Sequence, residues 1–251
     1  MSSMLIIDGN NWFRRRAETD PTGNPLRRCF YEIQSSPNDI VVLVWDGKGA
    51  LKSRREIYPE YKAGRKFAGE SLYEFQNTFK EIATLSRAVS VEVPLYEGDD
   101  VIAAIANKYK KEMTVKIESN DADLSQLGLP MTRETFKIEP RWIPLFKTLV
   151  GDSSDNIKGI AGFGQKAWDK LSEHQKKQLE IVMKGGILLP EYKEWFTTGQ
   201  QKWITENISL LKSYWKIVNF IEVDWKLVES KMMSGSDRPD LAEEIFKQYM
   251  C

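Results

Sequence analysis

Residues 40–47 have the sequence IVVLVWDG, in which six apolar residues are followed at once by an aspartate. A short, continuous apolar run of this length is typical of a strand that is buried on both faces of a parallel sheet. Met4–Ile7 forms a similar run before Asp8, and weaker strand patterns occur at Val89–Val93 and Thr114–Glu118. The sequence therefore predicts four strands in the first half of the chain.

Helical patterns separate these strands. From Ser71 to Ala88 apolar residues recur at intervals of three or four positions, and a second pattern begins near Asp99, whose carboxylate can cap a helix. This alternation predicts an α/β fold over residues 1–150, with a mostly parallel central sheet flanked by helices. After about Gly151 the strand patterns fade, which predicts a helical domain over residues 151–251. Within it, residues 234–236 (SGS) are expected to form a turn or a mobile loop.

Composition excludes several classes of protein. The 251 residues include 36 Lys and Arg against 36 Asp and Glu, so the formal net charge is zero, and there are two cysteines and one histidine. These counts exclude a disulfide framework, a cysteine- or histidine-based metal centre and a long basic tail. With no signal peptide and no apolar run long enough to span a membrane, the protein is expected to be cytoplasmic, or in the host cytoplasm if phage-encoded. Any metal chemistry must then use carboxylates.

Acidic residues follow the predicted strands at the points where the strands end. Ligands of open parallel sheets bind outside the carboxyl ends of the strands, so these acids are expected to converge. Nine carboxylates are predicted to share one cleft: Asp8, Asp46, Glu97, Asp99, Asp100, Asp121, Asp123, Asp152 and Asp155. So many acids would repel one another without cations, and oxygen ligands suit Mg²⁺ or Mn²⁺. Two such ions roughly 4 Å apart serve phosphoryl chemistry. The alternative for any single pair is a helix cap or a turn.

Two other features are typical of nucleic-acid binding. Residues 48–66 contain seven Lys or Arg and two Glu, interleaved with Tyr58 and Tyr61, and Arg14–Arg16 form a second basic cluster. Glycines at 159, 162 and 164 precede a predicted helix and are expected to form a hairpin whose backbone N–H groups face a phosphate. The alternatives are solvated helix faces and a plain turn. Other side chains have simpler interpretations: Trp12 and Trp142 are expected in the core, and His174 on an exposed helix face.

Six ordered motifs resemble those of the 5′ nuclease family. This family includes the 5′-3′ exonucleases of bacteria and phages, the 5′ nuclease domain of bacterial DNA polymerase I and the flap endonucleases. The matching segments are LIIDGNN (5–11), VWDGKG (44–49), RREIYPEYKAGR (54–65), EGDDVIAAIA (97–106), SNDADLSQL (119–127) and LVGDSSDNIKGIAGFGQKA (149–167). They cover about two thirds of the chain, and its size is similar to that of stand-alone phage or small bacterial forms.

The resemblance implies roles for particular residues. The nine acids match the family's metal-binding carboxylates, for two Mg²⁺ or Mn²⁺ ions. Lys62, Arg65 and Lys147 match basic catalytic residues near the scissile phosphate. The DNA contacts implied by the resemblance are Tyr61, Arg54, Arg55, Gly159, Gly162, Gly164 and Lys166. The glycines and Lys166 correspond to a helix–hairpin–helix-like element that often holds K⁺, and the short stretch between Arg65 and Ser71 corresponds to a small helical arch.

The function that this resemblance implies is a structure-specific 5′ nuclease with a PIN-like nuclease domain. It would hydrolyse DNA at 5′ ends or 5′ flaps by a two-metal-ion mechanism in DNA replication or repair, and a monomer is expected. One alternative is an RNase of the related PIN type, or RNase H-like activity on RNA:DNA hybrids. Another is a structure-specific DNA-binding protein that has lost catalysis. The presence of all nine acids argues for an active enzyme.

Overall fold

Five strands form one sheet in the part of the chain that the structure describes. The computed structural model describes residues 1–19, 24–65, 69–132 and 137–248. The strands are Ser3–Asp8 (β1), Ile40–Trp45 (β2), Val89–Glu92 (β3), Thr114–Glu118 (β4) and Met232–Ser234 (β5). Their order in the sheet is β4-β1-β2-β3-β5, in which β1–β4 are parallel and β5 is antiparallel to β3. The four predicted strands and the mostly parallel sheet are therefore confirmed.

Helices account for most of the remaining described residues. They are Gly9–Thr19 (α1), Pro25–Gln34 (α2), Lys52–Ile57 (α3), Glu70–Ala83 (α4), Gly98–Tyr109 (α5), Ile143–Val150 (α6), Gln165–Trp168 (α7), Glu173–Met183 (α8), Thr198–Val218 (α9), Trp225–Ser230 (α10) and Pro239–Gln248 (α11). Short 3₁₀ turns lie at Ala122–Leu127, Pro140–Trp142 and Pro190–Glu194. No helix among the described residues is both long enough and apolar enough to cross a membrane.

The helix α4 ends five residues earlier than its apolar pattern predicts. It stops at Ala83, and the buried Ser86 hydroxyl donates to the Ala83 carbonyl at 2.7 Å and accepts from the Ala88 N–H at 3.1 Å. A serine that bonds to nearby backbone groups competes with helical hydrogen bonds. The apolar sequence pattern extends to Ala88 because Leu85 and Ala88, although they lie beyond the helix, still pack in the core.

The chain forms two compact units, each assembled from separate segments. The first, called the α/β unit, comprises residues 1–50, 67–135 and 222–251, and the second, called the helical unit, comprises residues 51–66 and 136–221. This division differs from the single boundary after residue 150 that the sequence predicts. A boundary drawn from pattern changes along the chain misses segments that return to an earlier core.

The C-terminal segment shows why the boundary differs. Ala242 and Phe246 of α11 are buried in the core of the α/β unit, where the Phe246 ring meets Phe30 edge-on at 5.6 Å. The strand β5 pairs with β3, so the predicted turn at residues 234–236 begins with a strand residue. Next to it, a Cβ on Gly235 would lie 1.9 Å from the Ser86 carbonyl oxygen. A three-residue edge strand has too little alternation to be recognised from sequence.

Each unit has its own apolar core. In the α/β unit, Trp12 and Phe13 of α1 pack on Phe79 of α4. In the helical unit, Trp142 and Trp168 belong to a cluster that includes the α9 residue Tyr214. The predictions that Trp12 and Trp142 are core residues are confirmed, and His174 is exposed as predicted. The sheet and these cores hold in place the loops that carry the acidic and basic residues.

Candidate active site

Acidic side chains of the α/β unit lie at the carboxyl edge of the sheet. Asp8 is the last residue of β1, Asp46 directly follows β2, and Asp121 lies three residues beyond β4. Strand β3 leads to Glu97, which occupies the N-cap position of α5. Because the four strands are parallel, their carboxyl ends meet at one edge, as the sequence predicts.

Electrostatics shows that three of these acids are close together. The pKa of Asp8 is raised to about 7, mainly by burial and also by the carboxylates of Asp46 and Asp121, while hydrogen bonds from Ser119 and Asn11 oppose the rise. The Ser119 hydroxyl donates to Asp8 Oδ2 at 2.8 Å, and the Asn11 N–H donates to Asp8 Oδ1 at 3.1 Å. Even with these donors, a carboxylate in this position binds a proton more tightly than usual. A cation would relieve the same repulsion.

The N-terminal turn of α5 adds three further acids. Glu97 and Asp100 are buried and Asp99 is half-buried. The Gly98 N–H donates to Asp46 Oδ1 at 2.7 Å, which joins this turn to the end of β2. The N-cap position belongs to Glu97, not to Asp99 as the sequence predicts, and Asp99 lies in the first turn.

Asp123, the seventh acid of the α/β unit, lies beyond β4 close to Asp121 in sequence. Asp121 caps the 3₁₀ turn Ala122–Leu127, and its Oδ1 accepts from the Asp123 N–H at 2.9 Å. Both side chains are half-buried. Together these seven acids form an oxygen-only donor set, and one of them carries a pKa near neutrality. These residues fit a hard divalent cation such as Mg²⁺ or Mn²⁺.

The remaining two acids belong to the helical unit and lie in one tight loop. Asp152 and Ile157 exchange two backbone hydrogen bonds of 2.7 and 2.8 Å, and the loop between them brings carboxylate oxygens of Asp152 and Asp155 within 4.8 Å of each other. Lys147 of α6 forms an ion pair with Asp152. Burial alone would raise the pKa of Asp152, but the Lys147 ammonium and hydrogen bonds from Ser154 hold it below its usual value.

The predicted catalytic lysine Lys62 also belongs to this unit. It is 6% exposed, with its ammonium 3.9 Å from an Asp155 carboxylate oxygen and 4.8 Å from the centre of the Tyr61 ring. Its backbone is left-handed, with φ of 53°, and its N–H donates to the Asp155 carbonyl at 3.3 Å. Lys62 and Lys147 therefore each contact one acid of the tight loop.

The other basic residues of this segment have different environments. Arg65 and Arg55 are exposed, and Arg55 Nε donates to the Tyr61 carbonyl at 3.2 Å. Lys66 and most of the stretch predicted to form a short arch lie outside the described residues.

Two predicted DNA contacts are buried instead. Tyr61 is 2% exposed within the core cluster of the helical unit. Arg54 is 4% exposed and donates to the carbonyls of Ile217 at 2.9 Å and Asn219 at 3.2 Å. Neither side chain presents a surface for stacking or phosphate contact in this structure. Some of the alternating aromatic and basic residues of segment 51–65 therefore anchor this segment to other parts of the helical unit.

The basic cluster Arg14–Arg16 is neutralised by nearby acids. Arg14 pairs with Glu18 at 2.7 Å, Arg15 with Glu118 at 3.1 Å and Arg16 with Glu32 at 2.8 Å. These ion pairs favour a salt-bridged surface over a phosphate-binding cluster at Arg14–Arg16.

The glycine hairpin connects two helices of the helical unit. It runs from the end of α6 to Gly164, which occupies the N-cap position of α7. Gly159 has φ of +64°, and a Cβ there would lie 2.5–2.6 Å from backbone atoms of residues 149–151. Gly162, with φ of +72°, and Gly164 are exposed and have open space where a Cβ would lie, and the neighbouring Lys166 is exposed. Gly159 therefore holds the hairpin closed, whereas the other two are exposed, although the Gly162 carbonyl accepts from Gln200 Nε2 at 2.9 Å.

A mostly parallel α/β unit with carboxylates at its strand ends, in a chain that also carries a glycine hairpin, is the arrangement that the sequence motifs predict for a 5′ nuclease. Residues 3–139 match the family model described as 5′-3′ exonuclease, N-terminal resolvase-like domain. The chain belongs to the 5′-3′ exonuclease family, as its motifs predict.

Curated relatives agree with this assignment, and solved structures share the fold. The chain is 31% identical to a 5′-3′ exonuclease of Aquifex aeolicus over 96% of this chain and 89% of that protein. It is 34% identical to a 5′-3′ exonuclease of Mycoplasmopsis pulmonis over 70% of this chain and 68% of that protein. The bacteriophage T5 5′-exonuclease with bound zinc has the same fold, with a TM-score of 0.62, 19% identity and 98% of each chain covered. The T5 D15 flap endonuclease, solved with DNA and metal ions, gives a TM-score of 0.64 at 17% identity over 98% of each chain.

Sequence reasoning did not identify three polar residues at the sheet edge: Asn10, Asn11 and Ser119. They bond to the acids or to backbone next to them. Their signal was present in the motifs LIIDGNN and SNDADLSQL, where each lies within three residues of an acid, but their partners depend on which strands are neighbours.

Proposed function

We propose that this protein is a divalent-metal-dependent, structure-specific 5′ nuclease that hydrolyses DNA at 5′ ends or 5′ flaps. The main support is the group of carboxylates at the strand ends. Among them, burial and the neighbouring acids together raise the pKa of Asp8 to about 7. Such a concentration of negative charge destabilises the metal-free protein, so its benefit must lie in binding cations.

The proposed metal ligands are the nine acids that the family resemblance indicates. Seven are in the α/β unit: Asp8, Asp46, Glu97, Asp99, Asp100, Asp121 and Asp123. Asp152 and Asp155 of the helical unit are proposed ligands as well. When bound, Mg²⁺ or Mn²⁺ ions would supply Lewis acidity for water activation and for charge on the leaving oxygen. The chain's own carboxylates hold the ions, and Ser119 and Asn11 orient the Asp8 carboxylate through their hydrogen bonds.

The basic residues of the helical unit are proposed to act on the phosphate. Lys62 and Lys147 compensate Asp155 and Asp152 in this structure, so both ammonium groups lie beside proposed metal ligands. Together with the exposed Arg65, they would offer positive charge as negative charge develops on the scissile phosphate. Arg55, Lys166 and the exposed backbone at Gly162 and Gly164 are proposed to contact the duplex, with K⁺ as a candidate ion at the hairpin.

The proposal is tested with a duplex that carries a 5′ single-stranded flap labelled at its 5′ end. With Mg²⁺ a short labelled oligonucleotide from near the junction is expected, and EDTA should abolish it. Labelled mononucleotide alone would assign a 5′ exonuclease without flap cleavage. Tight junction binding with no cleavage in Mg²⁺ or Mn²⁺ would contradict the proposal and support an inactive DNA-binding protein.

Arg65→Gln is expected to slow cleavage at saturating DNA by roughly ten- to a hundredfold, because one donor of positive charge is lost in the transition state. The matched control is Arg55→Gln, which removes a second exposed guanidinium from the same segment. It should weaken duplex binding and reduce the slope of log affinity against log salt concentration by about one, with little change in the cleavage rate at saturating DNA. Single-turnover rates and fluorescence anisotropy separate the two effects. Equal losses of rate and affinity in Arg65→Gln would mean that Arg65 contributes only to binding.

A further inference from the structure

Two consecutive asparagines connect the ends of three neighbouring strands. Asn10 and Asn11 follow Asp8 at the start of α1. Asn10 Oδ1 accepts from the Asp46 N–H at 2.8 Å, and Asn11 Oδ1 accepts from the Asn120 N–H at 3.2 Å. Because β2 and β4 lie on opposite sides of β1, the two side chains reach in opposite directions along the sheet edge.

These bonds replace hydrogen bonds that the sheet cannot supply. The last paired residue of β2 opposite β1 is Val44, and the last of β4 is Glu118. The N–H groups of Asp46 and Asn120 each lie two residues beyond that point, where β1 has already turned into α1. Backbone N–H groups are strong hydrogen-bond donors, and here asparagine side chains accept from them.

Both connections lead directly to proposed metal ligands. Asn10 holds the backbone of Asp46 itself. Asn11 holds Asn120, the residue before Asp121, and its own N–H donates to Asp8 at 3.1 Å. The fully buried Ser119 hydroxyl closes the arrangement, since it donates to Asp8 Oδ2 and accepts from the Asp121 N–H at 2.9 Å. The backbone beside all three acids is thus tied to one dipeptide.

We infer that Asn10 and Asn11 are positioning residues that set the spacing of Asp46, Asp8 and Asp121 and thereby the affinity for a divalent cation. The inference rests on the proposed metal-dependent function. Mg²⁺ requires near-ideal octahedral geometry with oxygen ligands at about 2.0–2.1 Å, so small displacements of a carboxylate weaken binding. Loss of a residue that orients a ligand typically lowers metal affinity by about ten- to a hundredfold.

The test measures Mn²⁺ binding to the DNA-free protein by calorimetry, and the Mg²⁺ concentration for half-maximal cleavage. Asn10→Ala and Asn11→Ala are each expected to weaken Mn²⁺ binding roughly tenfold. The cleavage rate at saturating Mg²⁺ should change much less. Asn38→Ala is the control, because Asn38 is a half-buried asparagine of the same unit whose side-chain amide donates to the Ser36 hydroxyl at 3.1 Å in its own turn. Its metal affinity should equal that of the wild type.

Two further variants keep the test decisive when an alanine variant is unstable. Asn10→Asp retains the acceptor atom and should bind Mn²⁺ at least as tightly as the wild type. Asn10→Gln retains the amide but displaces it by one methylene, and should bind Mn²⁺ more weakly. Wild-type Mn²⁺ affinity in Asn10→Ala, Asn10→Gln and Asn11→Ala, with or without a lower melting temperature, would overturn the positioning role alone. Absence of Mn²⁺ binding by the wild type would overturn the proposed function as well.

Discussion

Asp8→Asn is expected to reduce cleavage by roughly a hundredfold or more while leaving the metal-free protein at least as stable as the wild type at pH 8. The asparagine keeps a similar shape and can still accept from the Asn11 N–H, but it lacks the charge that a cation requires. Removal of a buried carboxylate that lies near Asp46 and Asp121 also removes electrostatic repulsion. A loss of catalysis without a loss of stability is the signature of a metal ligand.

The pH dependence of stability gives an independent readout for the same residue. The pKa of Asp8 is raised from 3.8 to about 7 in the folded protein. Between these pH values the native state binds a proton that the unfolded state does not, so the stability of the metal-free protein falls as pH rises from 4 to 7. The destabilisation is complete above pH 7, and the interval between the two pKa values corresponds to at most about 4 kcal/mol. Asp8→Asn should lose this dependence.

Denaturant unfolding in EDTA at pH 5 and pH 8, together with flap cleavage in Mg²⁺, measures both effects. Asp39→Asn is a suitable control, because Asp39 is an exposed acid next to the amino end of β2 and bonds to Ser3. It should retain cleavage. Wild-type turnover in Asp8→Asn would contradict the assignment of Asp8 as a ligand, and a large loss of stability would indicate a structural role.

Gly159→Ala is expected to destabilise the helical unit by about 3 kcal/mol and to abolish tight duplex binding. A left-handed backbone costs an alanine roughly 1–2 kcal/mol, and the clash of its Cβ with backbone atoms adds about 1–3 kcal/mol. The contacts are at 2.5–2.6 Å from residues 149–151 and involve backbone, so they cannot be relieved by a side-chain rotation. The hairpin would have to open, and its outer N–H groups would move with it.

The neighbouring glycines supply matched controls for this prediction. Gly162→Ala has the same left-handed strain but open space around the new methyl group, so it should cost only about 1 kcal/mol. Gly164→Ala has neither left-handed strain nor a clash, and loss of the N-cap glycine of α7 should cost only about half a kcal/mol. Urea unfolding and duplex binding at low salt rank the three variants. Equal destabilisation by Gly159→Ala and Gly162→Ala would show that the close approach at Gly159 is unimportant.

Family membership and the sheet could be predicted from the sequence because their signals are local. Runs such as IVVLVW are apolar on both faces only when a strand is covered on both sides, and an aspartate directly after such a run must lie at the carboxyl end of that strand. The convergence of Asp8, Asp46 and Asp121 then followed from parallel strand direction alone. The order and spacing of the six motifs also identified the family, because six ordered matches are far more specific than any single acidic pair.

The segment 51–65 shows what the sequence left undecided. Charged and aromatic residues alternate there, and the same pattern suits a nucleic-acid surface and a segment fastened to a core. Tertiary packing assigns Arg54 and Tyr61 to the interior of the helical unit and leaves Arg55 and Arg65 exposed. The choice depends on carbonyls and apolar side chains supplied by helices far away along the chain, at Ile217 and Asn219 among others.

The mostly parallel sheet, the positions of the acids after the strands and the 5′-3′ exonuclease family could all be predicted from local sequence, because each is encoded by neighbouring residues. Two features became visible only once the chain was folded: β5 pairs with β3 and α11 packs in the first core, and Asn10 and Asn11 bond to the backbone just after β2 and β4. The physical reason is the same in both cases. A hydrogen-bond donor or an apolar side chain finds its partner in space, and that partner is unknown until the strands have been placed side by side.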